Sequence, residues 1–331
     1  VGSLFVWSAV TFLMGYATTF EQLYGLRAVM GISEALYIPS ALSLIADWHQ
    51  DKSRSLAIGV HMTGLYVGQA IGGFGATAAA AFSWQSTFHW FGIVGIAYSV
   101  VLIFFLHENP VRMKIEKVVA NGINKGNSIG KGLLLLFSNI SFWVILFYFA
   151  APSLPGWATK NWLPTLFAEN LDIPMSQAGP ISTITIALSS FVGVILGGFL
   201  SDRWVLKNIR GRVYTGAIGL GMTIPALLLL GFGHGFISVI GAGLLFGIGF
   251  GIFDANNMPI LCQFVSAKYR GTAYGIMNMT GVFAGAAVTQ LLGKWTDGGS
   301  LGEGFAMLSI VVALALGLQI YFLRPKTDNM E

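Results

Sequence analysis

The chain has 331 residues, is 55% hydrophobic and only 10% charged, and carries 43 glycines. Soluble domains carry about 25% charged residues, so depletion this deep over this length excludes one large water-soluble domain and points to a bilayer. The net charge of +4 would raise nucleic acid as a partner in a soluble protein. Here the basic residues sit between apolar stretches, so no nucleic acid is expected.

A membrane-crossing helix needs about 20 mostly apolar residues. In chain order ten segments qualify: 1–20, 23–47, 55–81, 86–106, 139–167, 179–200, 213–232, 235–262, 271–293 and 303–323. They are apolar all round rather than alternating, which disfavours a β-barrel. The predicted fold class is therefore an all-α membrane protein. Its domains are a partial N-terminal bundle of four helices at 1–106, a basic cytoplasmic linker at 107–137, and a C-terminal bundle of six helices at 138–331. The first residue is Val1, and it opens an apolar helix with no charged segment before it. The expectation is a chain that begins inside a longer protein, with two N-terminal helices missing.

Lys52 and Arg54 follow the second segment, and Arg112, Lys114, Lys117, Lys125 and Lys131 fill the linker. Arg203, Lys207, Arg210 and Arg212 follow the sixth segment, Lys268 and Arg270 the eighth, and Arg324 and Lys326 the last. The intervening connections Thr18–Gln22 and Glu169–Gly179 contain neither Lys nor Arg. Basic loops stay in the cytoplasm, so both ends of this chain are placed there, in a multi-pass protein of the cell (inner) membrane. Only Lys294 falls in a loop on the other side, and Arg27 and Lys160 are left within segments. An internal repeat supports two related halves. Arg54-Ser-Leu-Ala57-Ile-Gly59 matches Arg270-Gly-Thr-Ala273-Tyr-Gly275, each opening a glycine-rich segment on the cytoplasmic side. Repeated bundles around a central site are a common transporter architecture.

Several polar residues interrupt the apolar segments. Arg27 and Glu34 stand seven apart, about two turns, so they share a helix face roughly 10 Å apart along its axis. A carboxyl that gains and loses a proton near a fixed guanidinium is a coupling device; the alternative is a structural pair locking the helix to a neighbour. Lys160 lies among Trp157, Asn161 and Trp162. It either binds a carboxylate or phosphate as a point charge or snorkels to the outer interface. His61 is a candidate proton relay or a hydrogen-bonded structural group. It lies near Tyr66, Gln69 and the glycines Gly64, Gly68, Gly72 and Gly73, which read as packing surface. Asp254, Asn256 and Asn257 break the eighth segment just before Pro259, as a cluster for substrate hydroxyls or an ion. Asn278 either lines the same path or ties one helix to another. Catalytic chemistry has no support: there is one cysteine, Cys262, no metal-ligand spacing, and no phosphate-cradling loop. No catalytic residue, metal or cofactor is expected.

Gly197-Gly-Phe-Leu-Ser-Asp202-Arg203, followed by Arg210-Gly-Arg212, resembles the cytoplasmic loop signature of the major facilitator superfamily. Within it the chain is most similar to the anion:cation symporter group and its organophosphate antiporter relatives. The resemblance rests on Arg27-Ala-Val-Met-Gly31-Ile-Ser-Glu34-Ala35 with Pro39, Trp48 and Arg54, on Trp162-Leu-Pro164-Thr165-Leu166, and on Arg270-Gly-Thr through Gly275 and Asn278 to Gly285. It implies a major facilitator fold of two helical bundles, with ten of twelve helices present. It further implies transport of a small organic anion, a sugar acid or other carboxylate, with proton or sodium as the coupled ion and the lipid bilayer as surroundings. Proton coupling then falls to Glu34, Arg27 and His61. Substrate binding falls to Arg27, Tyr37, Trp157, Lys160, Asn161, Asp254, Asn257 and Asn278, and gating to Asp202, Arg203 and Arg212. Related phosphate exchangers carry an arginine at the position of Gly156, which favours a carboxylate here. Exchange of phosphorylated metabolites and a non-transporting sensor of the same fold are the alternatives. A channel is disfavoured because charged groups sit within segments of both halves and no filter-like repeat occurs.

The charge bias makes a topological prediction. Single cysteines placed at Asn127 and at Met175 react with a membrane-impermeant thiol reagent from opposite sides of the membrane. Reaction from one side only would contradict the topology.

Overall fold

The computed structural model describes residues 1–48, 51–106, 136–265 and 270–325. Most of the expected linker at 107–137, together with Lys268 and Lys326, lies outside the described residues. So do the side chains of the Arg54–Gly59 copy of the repeat and of Arg270.

Helix forms in each of the ten expected segments. The elements are α1 (Gly2–Met14), α2 (Phe20–Ala35), α3 (Tyr37–Trp48), α4 (Asp51–Gly72), α5 (Gly75–Ala81), α6 (Trp84–Phe105), α7 (Ile140–Leu171), α8 (Met175–Val205), α9 (Gly211–Phe232), α10 (Phe236–Asp254), α11 (Asn257–Phe264), α12 (Arg270–Asp297) and α13 (Leu301–Phe322). Among the described residues, seven helical stretches are long and apolar enough to cross a membrane: those of α6, α7, α8, α9, α10 with α11, α12 and α13. The outward faces of these helices are apolar. Phe104, Phe105, Phe199 and Ile310 are each more than half exposed, a surface suited to hydrocarbon and not to water.

Three expected segments are each split into two helices, and two of the splits have the same cause. Proline lacks the N–H that would bond the carbonyl four residues back. Pro39 leaves the carbonyl of Ala35 without that donor, and α2 ends at Ala35. Pro259 does the same to Ala255, between α10 and α11. The third split falls at Gly73 and Phe74, between α4 and α5.

The chain divides into two compact units, Val1–Gly68 with Phe74–Asn124, and Gln69–Gly73 with Lys125–Glu331. In the first unit α1 packs on α6 and α2. Phe12 and Ser8 occupy the places where side chains at Gly92 and Gly95 would be, and the ring of His89 fills the notch at Gly15. Ser3 Oγ donates to the carbonyl of Ser33, and Ser33 Oγ returns a bond of 2.6 Å to the carbonyl of Ser3. This reciprocal pair fixes which face of α2 meets α1.

Close approach through glycine organises the second unit. Along the α8–α10 crossing, an added Cβ at Gly193 would sit 2.3 Å from the carbonyl oxygen of Ile248, one at Gly197 2.7 Å from Ile252 Cα, and one at Gly251 2.3 Å from the carbonyl oxygen of Ser190. Gly193 with Gly197, and Gly247 with Gly251, are spaced so that each pair lines one helix face. Gly219 and Gly249 bring α9 and α10 together in the same way, and Gly231 and Gly302 do so for α9 and α13. Between them lies a core that includes Leu220, Leu227, Phe246, Phe253 and Phe305, all 0–1% exposed. Of the four glycines expected to pack at α4, only Gly73 does among the described residues, against Thr183 and the carbonyl of Gly179; an added Cβ at Gly64, Gly68 or Gly72 meets none of them.

Replacing Gly251 by Val therefore forces α8 and α10 apart. The expected result is a loss of at least about 1–3 kcal/mol, read as a lowered melting temperature of the purified protein. Gly317→Ala, where a Cβ meets open space, should leave the melting temperature unlowered.

Candidate functional site

In the first unit the polar residues gather around α2 and the start of α3. Ser33 is buried against α1. Counting about 100° per residue, Glu34 is turned about 100° from Ser33 and Arg27 about 120°, so the two side chains share a face beside the one that meets α1. Both are exposed, and no ion pair joins them among the described residues. Tyr37 opens α3 just past the proline-induced break. Its ring lies 6.1 Å from that of Trp7, edge to face, and 6.0 Å from that of His61. Nε2 of His61 is buried with no hydrogen-bond partner among the described residues.

In the second unit α7 carries large side chains that seat in glycine notches of α12. Phe149 fills the place of a Cβ at Gly281, Trp157 that at Gly285, and Trp162 lies over Gly293. Trp162 Nε1 donates to the carbonyl of Thr289 at 3.1 Å, and Asn161 Nδ2 donates to Thr289 Oγ1 at 3.0 Å and to the carbonyl of Trp157 at 3.0 Å. Asn161 is thus a tie between α7 and α12, with its amide oxygen left over. Lys160, next to it, is exposed, and its Nζ lies 5.0 Å from the centroid of the Trp157 ring. A Cβ at Gly156 would lie 2.7 Å from Phe250 Cζ, so a side chain there would have to displace that ring.

The α10–α11 break holds the expected polar cluster. The N–H of Asn256 turns to the carbonyl of Phe253 at 3.0 Å, which would leave the carbonyl of Ile252 without its helical donor. The side chain supplies the replacement, Asn256 Nδ2 donating to Ile252 O at 2.8 Å. Asn257 Nδ2 donates to Asp254 Oδ1 at 3.1 Å. Asp254 is exposed, although Asn256 and Asn257 are buried. The ring of Tyr148 on α7 packs 5.2 Å from that of Phe253, the residue before Asp254. Asn278 is hydrogen-bonded to Tyr274, one turn back on its own helix, so that bond does not tie helix to helix. Tyr148 and Tyr274 were not among the expected site residues. Tyr274 was legible only as part of the repeat, and Tyr148 only through the packing of α7 on α10.

At the α8–α9 connection, Asp202 is 3.6 Å from Arg212, which opens the first turns of α9. Arg203 lies over the ring of Phe199, 4.0 Å from its centroid. The expected gating trio therefore divides, with Arg212 rather than Arg203 pairing the aspartate. Arg210, also outside the expected set, donates to the carbonyl of Ile320 and stacks 4.9 Å from the Tyr214 ring, fastening the loop to the end of α13.

A family model described as Major Facilitator Superfamily matches residues 1–289. Among curated proteins, the chain is 26% identical to the D-galactonate transporter of Escherichia coli O6:H1, covering 94% of this chain and 76% of that one. It is 26% identical to the voltage-gated purine nucleotide uniporter SLC17A9 of Rattus norvegicus, over 89% of this chain and 66% of that one, just under two thirds of that relative's length. A crystal structure of a bacterial homolog to the human lysosomal transporter Spinster, in an inward-facing and unoccupied conformation, shares the fold. Its TM-score is 0.76 at 17% identity, over 99% of this chain and 83% of that one. The all-α architecture, the apolar outer faces and the family match agree: the chain belongs to the Major Facilitator Superfamily, a multi-pass membrane transporter rather than an enzyme.

Proposed function

We propose that the protein is a secondary active transporter that carries a small organic anion, a sugar acid or other carboxylate, together with a proton by alternating access. The observation that carries this reading is the Arg27–Glu34 face of α2. Both groups are ionisable, exposed and unpaired with each other, on a helix that packs on α1 in the first unit and that we read as part of a membrane crossing. Charged groups at that depth are too costly to leave in hydrocarbon and belong to a hydrated path. Arg27 offers a fixed positive charge and a planar fork for a carboxylate. Glu34 is the group on the same face that changes charge, and His61 beside Tyr37 is its relay.

Tyr37, Trp157, Lys160, Asn161, Asp254, Asn257 and Asn278 are assigned to the substrate path, and Asp202, Arg203 and Arg212 to its cytoplasmic gate. The ten helical segments are read as ten crossings, with the basic loops and both ends of this chain on the cytoplasmic side of the cell membrane. Within the superfamily, the anion:cation symporter group is the assignment we favour. The D-galactonate relative transports, by its name, a sugar acid, which supports a carboxylate. Phosphate exchange is less well supported, because the position where related exchangers carry arginine is Gly156, packed against Phe250.

Glu34→Gln, which keeps the size of the acid and removes its charge change, should abolish accumulation driven by a pH gradient while leaving substrate binding. Arg27→Lys should weaken binding even though it keeps the charge. Loss of a charge-assisted hydrogen bond is worth about 1.5–3 kcal/mol, roughly tenfold or more in affinity. Vesicle uptake with an imposed pH or sodium gradient, beside binding to the purified variants, measures both. Full gradient-driven accumulation by Glu34→Gln would contradict the coupling role, and accumulation that follows a sodium gradient instead would replace the proton.

A further inference from the structure

The end of α13 gathers positive charge that no carboxylate answers among the described residues. Arg210, the N-cap residue of α9, donates through a terminal nitrogen to the carbonyl of Ile320 and lies 4.9 Å from the centroid of the Tyr214 ring. Arg324 donates through Nε to the carbonyl of Tyr321 at 3.1 Å and lies 5.7 Å from the centroid of that ring. The two guanidiniums are therefore anchored on consecutive residues, whose Cα atoms stand about 3.8 Å apart. Arginine at a helix C-terminus caps free carbonyls, but that use takes up few donors. A guanidinium has five N–H donors, and one bond each leaves terminal nitrogens of both residues for another acceptor. Nε of Arg210 is buried with no partner among the described residues. The ion pair at this end of the bundle joins Asp202 to Arg212 instead.

The surroundings of the two cations add a second condition. Trp204, near the end of α8, packs on Tyr214 with ring centroids 5.8 Å apart. Trp204, Tyr214 and Tyr321 thus form an aromatic rim beside Arg210 and Arg324. Tryptophan and tyrosine at the ends of membrane helices mark the level of the lipid headgroups. From that rim Tyr321, Leu318, Leu314 and Ile310 run along one face of α13, and all four are exposed. Eleven residues of helix span about 16 Å, roughly half of a hydrocarbon core about 30 Å thick. A pair of cations thus stands at the head of an apolar track as long as one leaflet.

We infer that Arg210 and Arg324 hold the phosphate of an anionic glycerophospholipid whose acyl chains lie along the Ile310–Tyr321 face of α13. The phosphate oxygens accept from the terminal nitrogens that the helix carbonyls leave free. Arginine suits this role because its planar fork matches phosphate. A soluble phosphate would meet the same cations but would have nothing to lay on the apolar track, so the track selects a lipid. Each basic residue beside an anionic lipid is worth about fivefold in affinity. The inference goes beyond the proposed function and does not depend on which anion is carried.

The test counts lipids bound to the purified protein in a neutral detergent by native mass spectrometry. Dioleoyl phosphatidylglycerol is titrated against dioleoyl phosphatidylcholine, with sn-glycerol 1-phosphate as the soluble phosphate. Phosphatidylglycerol should bind saturably, at least about fivefold tighter than phosphatidylcholine, and should weaken as salt is raised. Glycerol phosphate should displace it only at far higher concentration. Arg324→Gln should weaken phosphatidylglycerol about fivefold, and Arg324→Gln with Arg210→Gln about 25-fold. Lys294→Gln, which removes a cation near the start of α13 rather than its end, should leave binding unchanged. Arg210→Gln also gives up the bond to Ile320; should it not fold, Arg324→Gln, at an exposed residue past the helix end, decides alone. Equal binding of the two lipids, or unaltered phosphatidylglycerol binding by folded Arg324→Gln, overturns the site. Displacement by glycerol phosphate at a concentration equal to that of the lipid overturns the lipid as its occupant. Each of these results leaves the transport reading intact.

Discussion

Inside hydrocarbon a polar group has no water to turn to, so each one needs a partner from the chain or from what the chain binds. Much of this structure follows from that requirement. The hydroxyls of Ser153, Thr185, Ser189, Thr215 and Thr289 donate to carbonyls one turn back on their own helices. At the break before Pro259, the N–H of Asn256 turns to the carbonyl of Phe253 and its side chain supplies the bond to Ile252 that the backbone gives up. The departures from this economy are informative. Among the described residues, Asn256 Oδ1 and Asn257 Oδ1 are left without partners next to Asp254, Tyr148 Oη against Gly216, and His61 Nε2 beside Tyr37. Of these, Asn257 and His61 are assigned to the transport path; Gln263 Oε1 and Gln319 Oε1, equally unmet among the described residues, are not.

The same solvent removes the usual reason for helices to associate, because lipid tails are as apolar as leucine. What remains is close packing, and glycine makes it available. The crossing of α8 and α10 brings backbone against backbone at Gly193, Gly197 and Gly251, while α7 meets α12 by seating Phe149 and Trp157 in notches. The consequence for function is positional. Trp157 is locked over Gly285, and Asn161 is tied to Thr289, so Lys160 is carried on a rigid stretch of α7. Asp254 is carried on the end of α10. Each charge is therefore held by an element whose packing fixes it, which is what a selective site requires.

The long helices were legible because hydrophobicity over about 20 residues leaves little choice in a bilayer. The break before Pro259 was legible too, since asparagines and an aspartate preceded it. The break before Pro39 was not anticipated, although the same rule applies. The surrounding apolar run masked it. The shared face of Arg27 and Glu34 followed from their spacing alone, and so did the Asp254–Asn257 cluster. Which glycines pack did not follow: Gly64, Gly68 and Gly72 have the spacing of a contact face and meet open space, whereas Gly193 and Gly197 have it and touch α10. Spacing marks a face, but only the arrangement of neighbours says what lies against it. Tyr148 was missed for that reason, as was the exchange of partners by which Arg212 rather than Arg203 meets Asp202.

The central claim is that anion and proton move together. It is tested most directly by adding the transported anion to weakly buffered liposomes containing the protein, with no gradient imposed, and following the external pH as the anion enters. The account predicts alkalinisation of the medium that keeps pace with anion uptake and collapses when a protonophore is present. Anion uptake at undiminished rate with a flat external pH would contradict it.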